Sequence, residues 1–313
     1  MQKILKDNCI YTMSANNVPI LHISPGTQLQ FETWDALHGQ LGYTNNSFDG
    51  LDWTRVNPAT GPVYINGAEA GDILSVKVDR IEIASEGVVV CGKGMGVMGA
   101  KFEWSCSKII PIKDNLAHFS DTIKLPLNPM IGVIGVAPKE GEISCGAPDL
   151  HGGNMDCKEI KEGVTLLLPV NVPGALLAMG DLHAVMADGE IGVSGLEVSG
   201  VVTVTVDVIK SKTLPLPMIC NDSHVMTLAS HEDLDMAVEM AVANMVEYLT
   251  TEENFSEEDA VMLTSLAGDV RICQVVDPKK TVRVEFPKKY LITTKHLRKE
   301  GRKCHSCPPP PTN

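Results

Sequence analysis

Aromatic side chains make up only 4% of the 313 residues, too few for a stacking surface that grips bases or sugars. No stretch approaches the roughly 18 consecutive apolar residues of a membrane helix, and the opening MQKILKDNCIYT lacks the apolar centre of a secretory leader. A cytoplasmic protein is therefore expected. Lys and Arg are missing between residues 213 and 270, where twelve acids fall. Nucleic acid and anionic membranes are poor partners for such a surface. No second CxxC accompanies Cys304-His305-Ser306-Cys307, so an intramolecular zinc finger is not expected. The glycine-rich GKGMGVMG at 92–99 has no GK followed by Ser or Thr, which excludes a phosphate loop.

What is present divides unevenly. The formal charge is −13, from 26 Lys and Arg against 39 Asp and Glu. Residues 279–303 carry ten basic and two acidic residues, which leaves the remainder near −21. Neutral or cationic small substrates and metal ions suit this body better than polyanions do. Nine cysteines, an odd number without framework spacing, read as reduced thiols.

With 27 Gly and 19 Pro among 44% hydrophobic residues, the chain reads as short strands broken by turns. Residues 27–33 (TQLQFET), 72–83, 87–91, 164–170, 200–209 (GVVTVTVDVI), 270–276 and 281–286 are predicted strands; several alternate as a half-buried sheet requires. Two helices are predicted within 230–267. Ser230 with Asp233 and Ser256 with Asp259 resemble capping boxes. Leu234, Ala237, Val238, Ala241, Met245 and Leu249 form an apolar stripe, and Gly268 is the expected stop. The fold class is mostly β (β-rich α+β), a two-lobed sandwich or barrel-like architecture with a C-terminal helical pair. The catalytic region is expected over 1–297, with a lobe boundary near 125–140, and 298–313 is a basic, proline-rich tail.

Two stretches concentrate unlike polar groups around glycine. Residues 142–156, EISCGAPDLHGGNMD, offer Glu142, Asp149, His151, Asn154 and Asp156 on a loop. Gly152 and Gly153 there permit close backbone approach or positive φ. Residues 179–190, MGDLHAVMADGE, set Asp181, His183, Asp188 and Glu190 between apolar segments, where charges must be paired, protonated or metal-bound. If extended, Asp181 and His183 project to one face of a strand. Such oxygen and nitrogen donors suit zinc or another divalent ion. The alternative for the first stretch is a solvated loop held by Asx-turns, and for the second a turn whose carboxylates cap backbone amides. FETWD at 31–35 ends a strand with Glu32 and Asp35, carboxylates that a strand end can present to a ligand, the alternative being a turn residue. Cys145, near Glu142, is a conceivable nucleophile.

The strings PGTQLQFETWDALHGQL, DWTRVNPATGPVYINGAEAGDILSVKV, DLHGGNMDCKEIKEGVTLLLPVNVPGALLAMGDLHAVMADGE and SLAGDVRICQVVDPKKTVRVEFP resemble the acetamidase/formamidase family, in family order, from about residue 5 to 287. HGGNMD combined with GDLHA…DGE is a specific signature. The resemblance implies hydrolysis of a short carboxamide to carboxylate and ammonia, a mostly β two-lobed fold, a homo-oligomer (a dimer or larger), and a divalent metal in the pocket. One departure stands out: Met186 and Ala187 replace the Gln-Gly step usual before DGE.

Amide hydrolysis needs an activated nucleophile, an oxyanion site and a proton for the leaving nitrogen. On chemical grounds Asp156, Asp181 and His183, with His151, are expected to bind a divalent ion, zinc first and calcium second. Glu190 or Asp188, with Glu142 as a further acid–base candidate, handles the proton. Asn154, Gly152, Gly153 and Asp35 are the expected substrate contacts. The competing readings are metal-free hydrolysis through Cys145 or the carboxylates, and a catalytically weak ligand- or metal-binding protein.

Overall fold

The computed structural model describes residues 1–42 and 51–291. The tail at 298–313, with its CHSC and proline run, lies outside the described residues. The architecture is mostly β, as expected, and neither large sheet closes into a barrel.

Alternation between buried and half-exposed positions builds the long strands. Thr27–Thr33 and Gly200–Ile209 occupy the predicted spans. They pair antiparallel from Gly200↔Thr33 to Val206↔Thr27, and Ile73–Ile83 flanks Gly200–Ile209 on its other side. These belong to a nine-stranded sheet that continues through Thr165–Pro169, Met218–Cys220, His224–His231 and Lys280–Pro287 to Asp269–Gln274. A second, eleven-stranded sheet contains Ala59–Ile65, Glu86–Gly92, Ser105–Lys113, Met130–Gly135, Gly152–Asn154, Leu177–His183 and Glu197–Val198. Each sheet takes strands from both sides of residues 125–140.

One apolar core joins the sheets: Leu29, Phe31, Val202 and Val204 of the first meet Val63, Ile131, Leu177 and Met179 of the second. A second core covers the far end of the nine-stranded sheet. There α1 (Leu234–Thr251) and α2 (Glu257–Ala267) pack on Val225, Val282, Val284 and Phe286. The predicted stripe of α1 buries Ala237, Ala241, Met245 and Leu249. Asp233, rather than Ser230, caps this helix, accepting from the Met236 N–H. Ser230 is instead part of strand His224–His231 and faces Thr281 across the ladder. Ser256 caps α2 as expected by accepting from Asp259 N–H, and the Gly268 N–H closes its C-terminus on the Thr264 carbonyl.

The eleven-stranded sheet is what positions chemistry. Met130–Gly135 lies between Gly152–Asn154 and Leu177–His183, with Val133 opposite both Asn154 and Gly180. On the far side of Leu177–His183, Glu197 is directly opposite His183.

Candidate active site

Asp181 and His183 end a fully buried strand, and the strand register brings Glu197 beside them. Asp156 enters from the segment after Gly152–Asn154. Glu190 enters from the turn at 187–190, and Asp277 from the connection between the last two strands. All these side chains line one cleft of about 300 Å³, together with Asn57, Asn154, Leu37, Val90, Met95 and Ser194. That volume suits a small molecule.

His183 is the hub. Its Nε2 is 3.1 Å from Glu197 Oε2, 3.3 Å from Asp181 Oδ1, 3.8 Å from Asp156 Oδ1 and 4.0 Å from Glu190 Oε1. Yet Asp156 Oδ1, Asp181 Oδ1, Glu190 Oε2 and Glu197 Oε2 are buried without a hydrogen-bond partner. Leaving such oxygens unmatched is costly, and a cation among them removes the cost. Two donor sets can hold one: Asp156, His183 and Glu190, and Asp181, His183 and Glu197, each with ligand atoms within 4.8 Å of one another. One imidazole nitrogen with several carboxylate oxygens fits a divalent ion.

The electrostatics follow from the crowding. Burial, and then the charge of Asp156, raises Glu190 well above an ordinary glutamate. Burial and neighbouring acids likewise raise Asp156 and Asp277. Glu197 is raised by burial despite His183 beside it. His183 is buried, which disfavours its cation, but Glu197 and Asp181 outweigh this and lift it well above the usual histidine value. Asp181 is the one carboxyl held low: burial opposes its charge, and His183 more than compensates.

Backbone conformation aims these groups. Asp156, Asp181 and Glu190 all have left-handed φ, at 41°, 55° and 45°. Non-glycine residues in this region are uncommon and often mark functional sites. Gly132 makes room: a Cβ there would collide with the carboxylates of Asp156 and Asp181. Gly195 does the same beneath the His183 ring. The Asp277 turn is held by buried Gln274, whose Oε1 accepts from Val276 and Asp277 N–H while Nε2 donates to the Lys279 carbonyl.

The other candidates take different places. Asn154 lines the cleft; its Nδ2 donates to Asp277 Oδ2 at 2.8 Å, and its Oδ1 is unpartnered. Gly152 and Gly153, at φ 91° and 84°, let their strand pack against the Ile134 and Ala147 carbonyls and do not line the cleft. His151 lies beneath Gly153, outside both donor sets, and burial lowers it to about 4. Asp188 is gripped by Arg283 and Lys158. Asp35 accepts N–H bonds from Leu37 and Gly39 as a turn residue. Glu142 is exposed on a short surface strand. Cys145 is buried among Met13, Ala59, Val133 and Ala178, donates to the Ile10 carbonyl, and is pushed up to about 12 by burial; this is a poor setting for a thiolate nucleophile. Glu197, Asp277 and Asn57 were not singled out from sequence.

The acetamidase/formamidase family model matches residues 14–145 and 141–291. The chain belongs to the acetamidase/formamidase family. An acetamidase of Bacillus halodurans shares 43% identity over 92% of this chain and 98% of its own, at a TM-score of 0.90. A predicted acetamidase/formamidase of Thermoanaerobacter tengcongensis shares 45% identity over 97% and 99%, also at 0.90. The acetamidase of Mycolicibacterium smegmatis is 26% identical over 255 residues, 60% of this chain and 63% of that protein. The chain aligns with 61–63% of the length of the curated relatives it matches. Among the described residues no helix is long and apolar enough to cross a membrane. Met186, one of the two residues at the departure noted from sequence, has its Sδ 3.3 Å from His183 Nδ1.

Proposed function

We propose that this protein hydrolyses a short, neutral carboxamide of the formamide or acetamide type to the carboxylate and ammonia, at the cleft around His183. The observation that carries the proposal is the set of four buried, unpartnered carboxylate oxygens around one histidine, in a chain of the acetamidase/formamidase family. Asp181, His183, Glu197 and Asp156 are the residues that would hold a divalent cation, zinc before calcium. Such an ion supplies charge stabilisation for the amide carbonyl oxygen and lowers the pKa of water to about 7.

The chain's own groups do the rest. Glu190, raised well above an ordinary glutamate by burial and then Asp156, is the carboxyl suited to proton transfer. Its unpartnered Oε2 takes the proton from the attacking water and returns it to the departing nitrogen. Asn154 has its Nδ2 committed to Asp277, so its Oδ1 is the atom that accepts an N–H of the substrate amide. Asn57, donating to Asp181 Oδ2 at 3.3 Å, orients that carboxylate. Leu37, Val56, Val90 and Val193 wall the cleft with apolar surface, which excludes water and sets the space for the acyl group. A cytoplasmic homo-oligomer remains part of this reading.

The test is ammonia release from formamide, acetamide and longer amides by the full chain, before and after chelation, with zinc and other divalent ions added back. Turnover that falls on chelation and returns with one ion supports the proposal. Full turnover in a preparation shown to be metal-free would overturn the metal role, and no release from any small amide would overturn the activity.

A further inference from the structure

Cys91 and Cys106 are directly opposite each other on the antiparallel pair Glu86–Gly92 and Ser105–Lys113. Both are free thiols, with sulfurs 3.6 Å apart. Just beyond them, Lys93 N–H donates to the Trp104 carbonyl. Cross-strand pairs alternate in kind, so Cys91 and Cys106 form a hydrogen-bonded pair, with Cα atoms about 5.5 Å apart. A disulfide spans Cα separations of roughly 4.4–6.8 Å, centred near that value. The Cβ atoms of such a pair start about 5.5 Å apart, beyond the roughly 3.5–4.5 Å of a disulfide, so closing the bond draws the two strands together locally and leaves the disulfide strained and readily reduced.

Access distinguishes this pair from the other neighbouring thiols. Cys106 is exposed and Cys91 half-buried. Cys157 and Cys273 also contact each other but are fully buried, beyond reach of a solute. The hairpin is not remote from the site either. Val90, next to Cys91, lines the cleft, as do Met95 and Ser194, and the Val90 N–H donates to Ser194 Oγ.

We infer that Cys91 and Cys106 form a redox-responsive dithiol, oxidised to a cross-strand disulfide by low-molecular-weight disulfides. The exposed Cys106 loses its proton and attacks one sulfur of the small disulfide, forming a mixed disulfide and expelling one thiolate. Cys91 then loses its proton and attacks the Cys106 sulfur, forming the intrachain bond and expelling the second thiolate. The small disulfide is reduced to two thiols, which take up the two protons, and the protein dithiol is oxidised. Exposed, readily reduced disulfides of this kind are characteristic of reversible modification.

The test equilibrates the full chain in oxidised and reduced glutathione at several ratios. The reaction is quenched in acid, free thiols are alkylated, and proteolytic peptides are mapped by mass. The expected result is a peptide pair joined through Cys91 and Cys106, two hydrogens lighter than its reduced parts. Both alkyl adducts should be lost as oxidant increases and restored by dithiothreitol. Cys106→Ser should abolish the joined pair. Full alkylation of both cysteines at every ratio overturns the inference. So does a lasting glutathione adduct on Cys106 with Cys91 free.

Discussion

Arg283 grips Asp188 with two hydrogen bonds, Nη1 to Oδ1 at 2.6 Å and Nη2 to Oδ2 at 3.0 Å, two residues before Glu190 turns into the cleft. The guanidinium is 1% exposed. It also donates from Nε to Glu285 Oε1 at 2.7 Å, while Lys158 Nζ is 2.9 Å from Asp188 Oδ2. Asp188 thus anchors the turn that carries Glu190, and the Gly189 N–H donates to the Cys273 carbonyl on the neighbouring strand Asp269–Gln274. A carboxylate so fully paired is badly placed to move protons. This separates the two members of the DGE motif that sequence alone treats alike.

Arg283→Met should cost about 1–3 kcal/mol, the scale of lost hydrogen bonds to charged groups, because Asp188 is part-exposed and keeps Lys158 as a partner. Half-burial opposes charge on Asp188, but Arg283 and then Lys158 hold it below the ordinary aspartate value. A lowered carboxyl stabilises fully above its unfolded pKa of about 3.9 and loses that contribution as pH falls through the folded value. Urea unfolding should therefore show a gap between wild type and variant that is full at neutral pH and narrows below about pH 4. A gap of constant size through acid pH would count against this pairing.

Cation binding should release protons. Without a cation, His183, Glu190, Glu197, Asp156 and Asp277 are all raised, so the folded chain holds protons the unfolded chain has lost. Its stability should fall as pH rises from about 4 toward neutrality, and divalent ions should reverse this trend. Ligands bind a metal deprotonated. Titration calorimetry with zinc in buffers of different ionisation enthalpy should give apparent enthalpies that differ accordingly; identical enthalpies would contradict the arrangement.

Gly132→Ala should damage the site more than the fold. The added methyl meets the carboxylates of Asp156 and Asp181 and the Asp181 carbonyl, not the apolar core. Zinc affinity measured by competition with a chelator should drop at least tenfold, the scale on which misplaced ligand supports act. A variant with unchanged affinity would show that these carboxylates do not ligate.

Met186→Gln probes the departure from the family pattern. A thioether is a weak acceptor, and Met186 Sδ is what His183 Nδ1 meets. An amide oxygen there would hold the Nδ1–H proton and orient the ring. Supports of this kind change metal affinity by about 10–100-fold, so the variant should bind zinc more tightly. Weaker binding would mean that the sulfur already serves this position better.

Much of the frame was legible because it is written locally. The Val/Thr alternation of residues 200–209 and the TQLQFET segment became strands at those positions, since a half-buried strand imposes a two-residue period. Asp181 and His183 share one strand and meet at 3.3 Å, as the i, i+2 spacing implied. Glu197 was not legible, because the register of two strands, not any sequence interval, puts it opposite His183. Asp277 needed a turn organised by a buried glutamine. Ser230 shows the converse failure: its S-x-x-D pattern resembles a cap, yet the ladder to Thr281 extends the strand through it. Glu142 carries the same chemistry on paper as Glu190 but is exposed on a surface strand.

The left-handed backbone at Asp156, Asp181 and Glu190 bears on how this chain can drift over generations. At each position glycine would relieve the backbone and also remove a buried acid from a crowded group. Mutations that erase the site are thus among those the fold itself would welcome. A lineage relieved of selection for the chemistry should shed these acids early while keeping its sheets, and persistence of all three in a descendant would be a sign that the cleft is still in use.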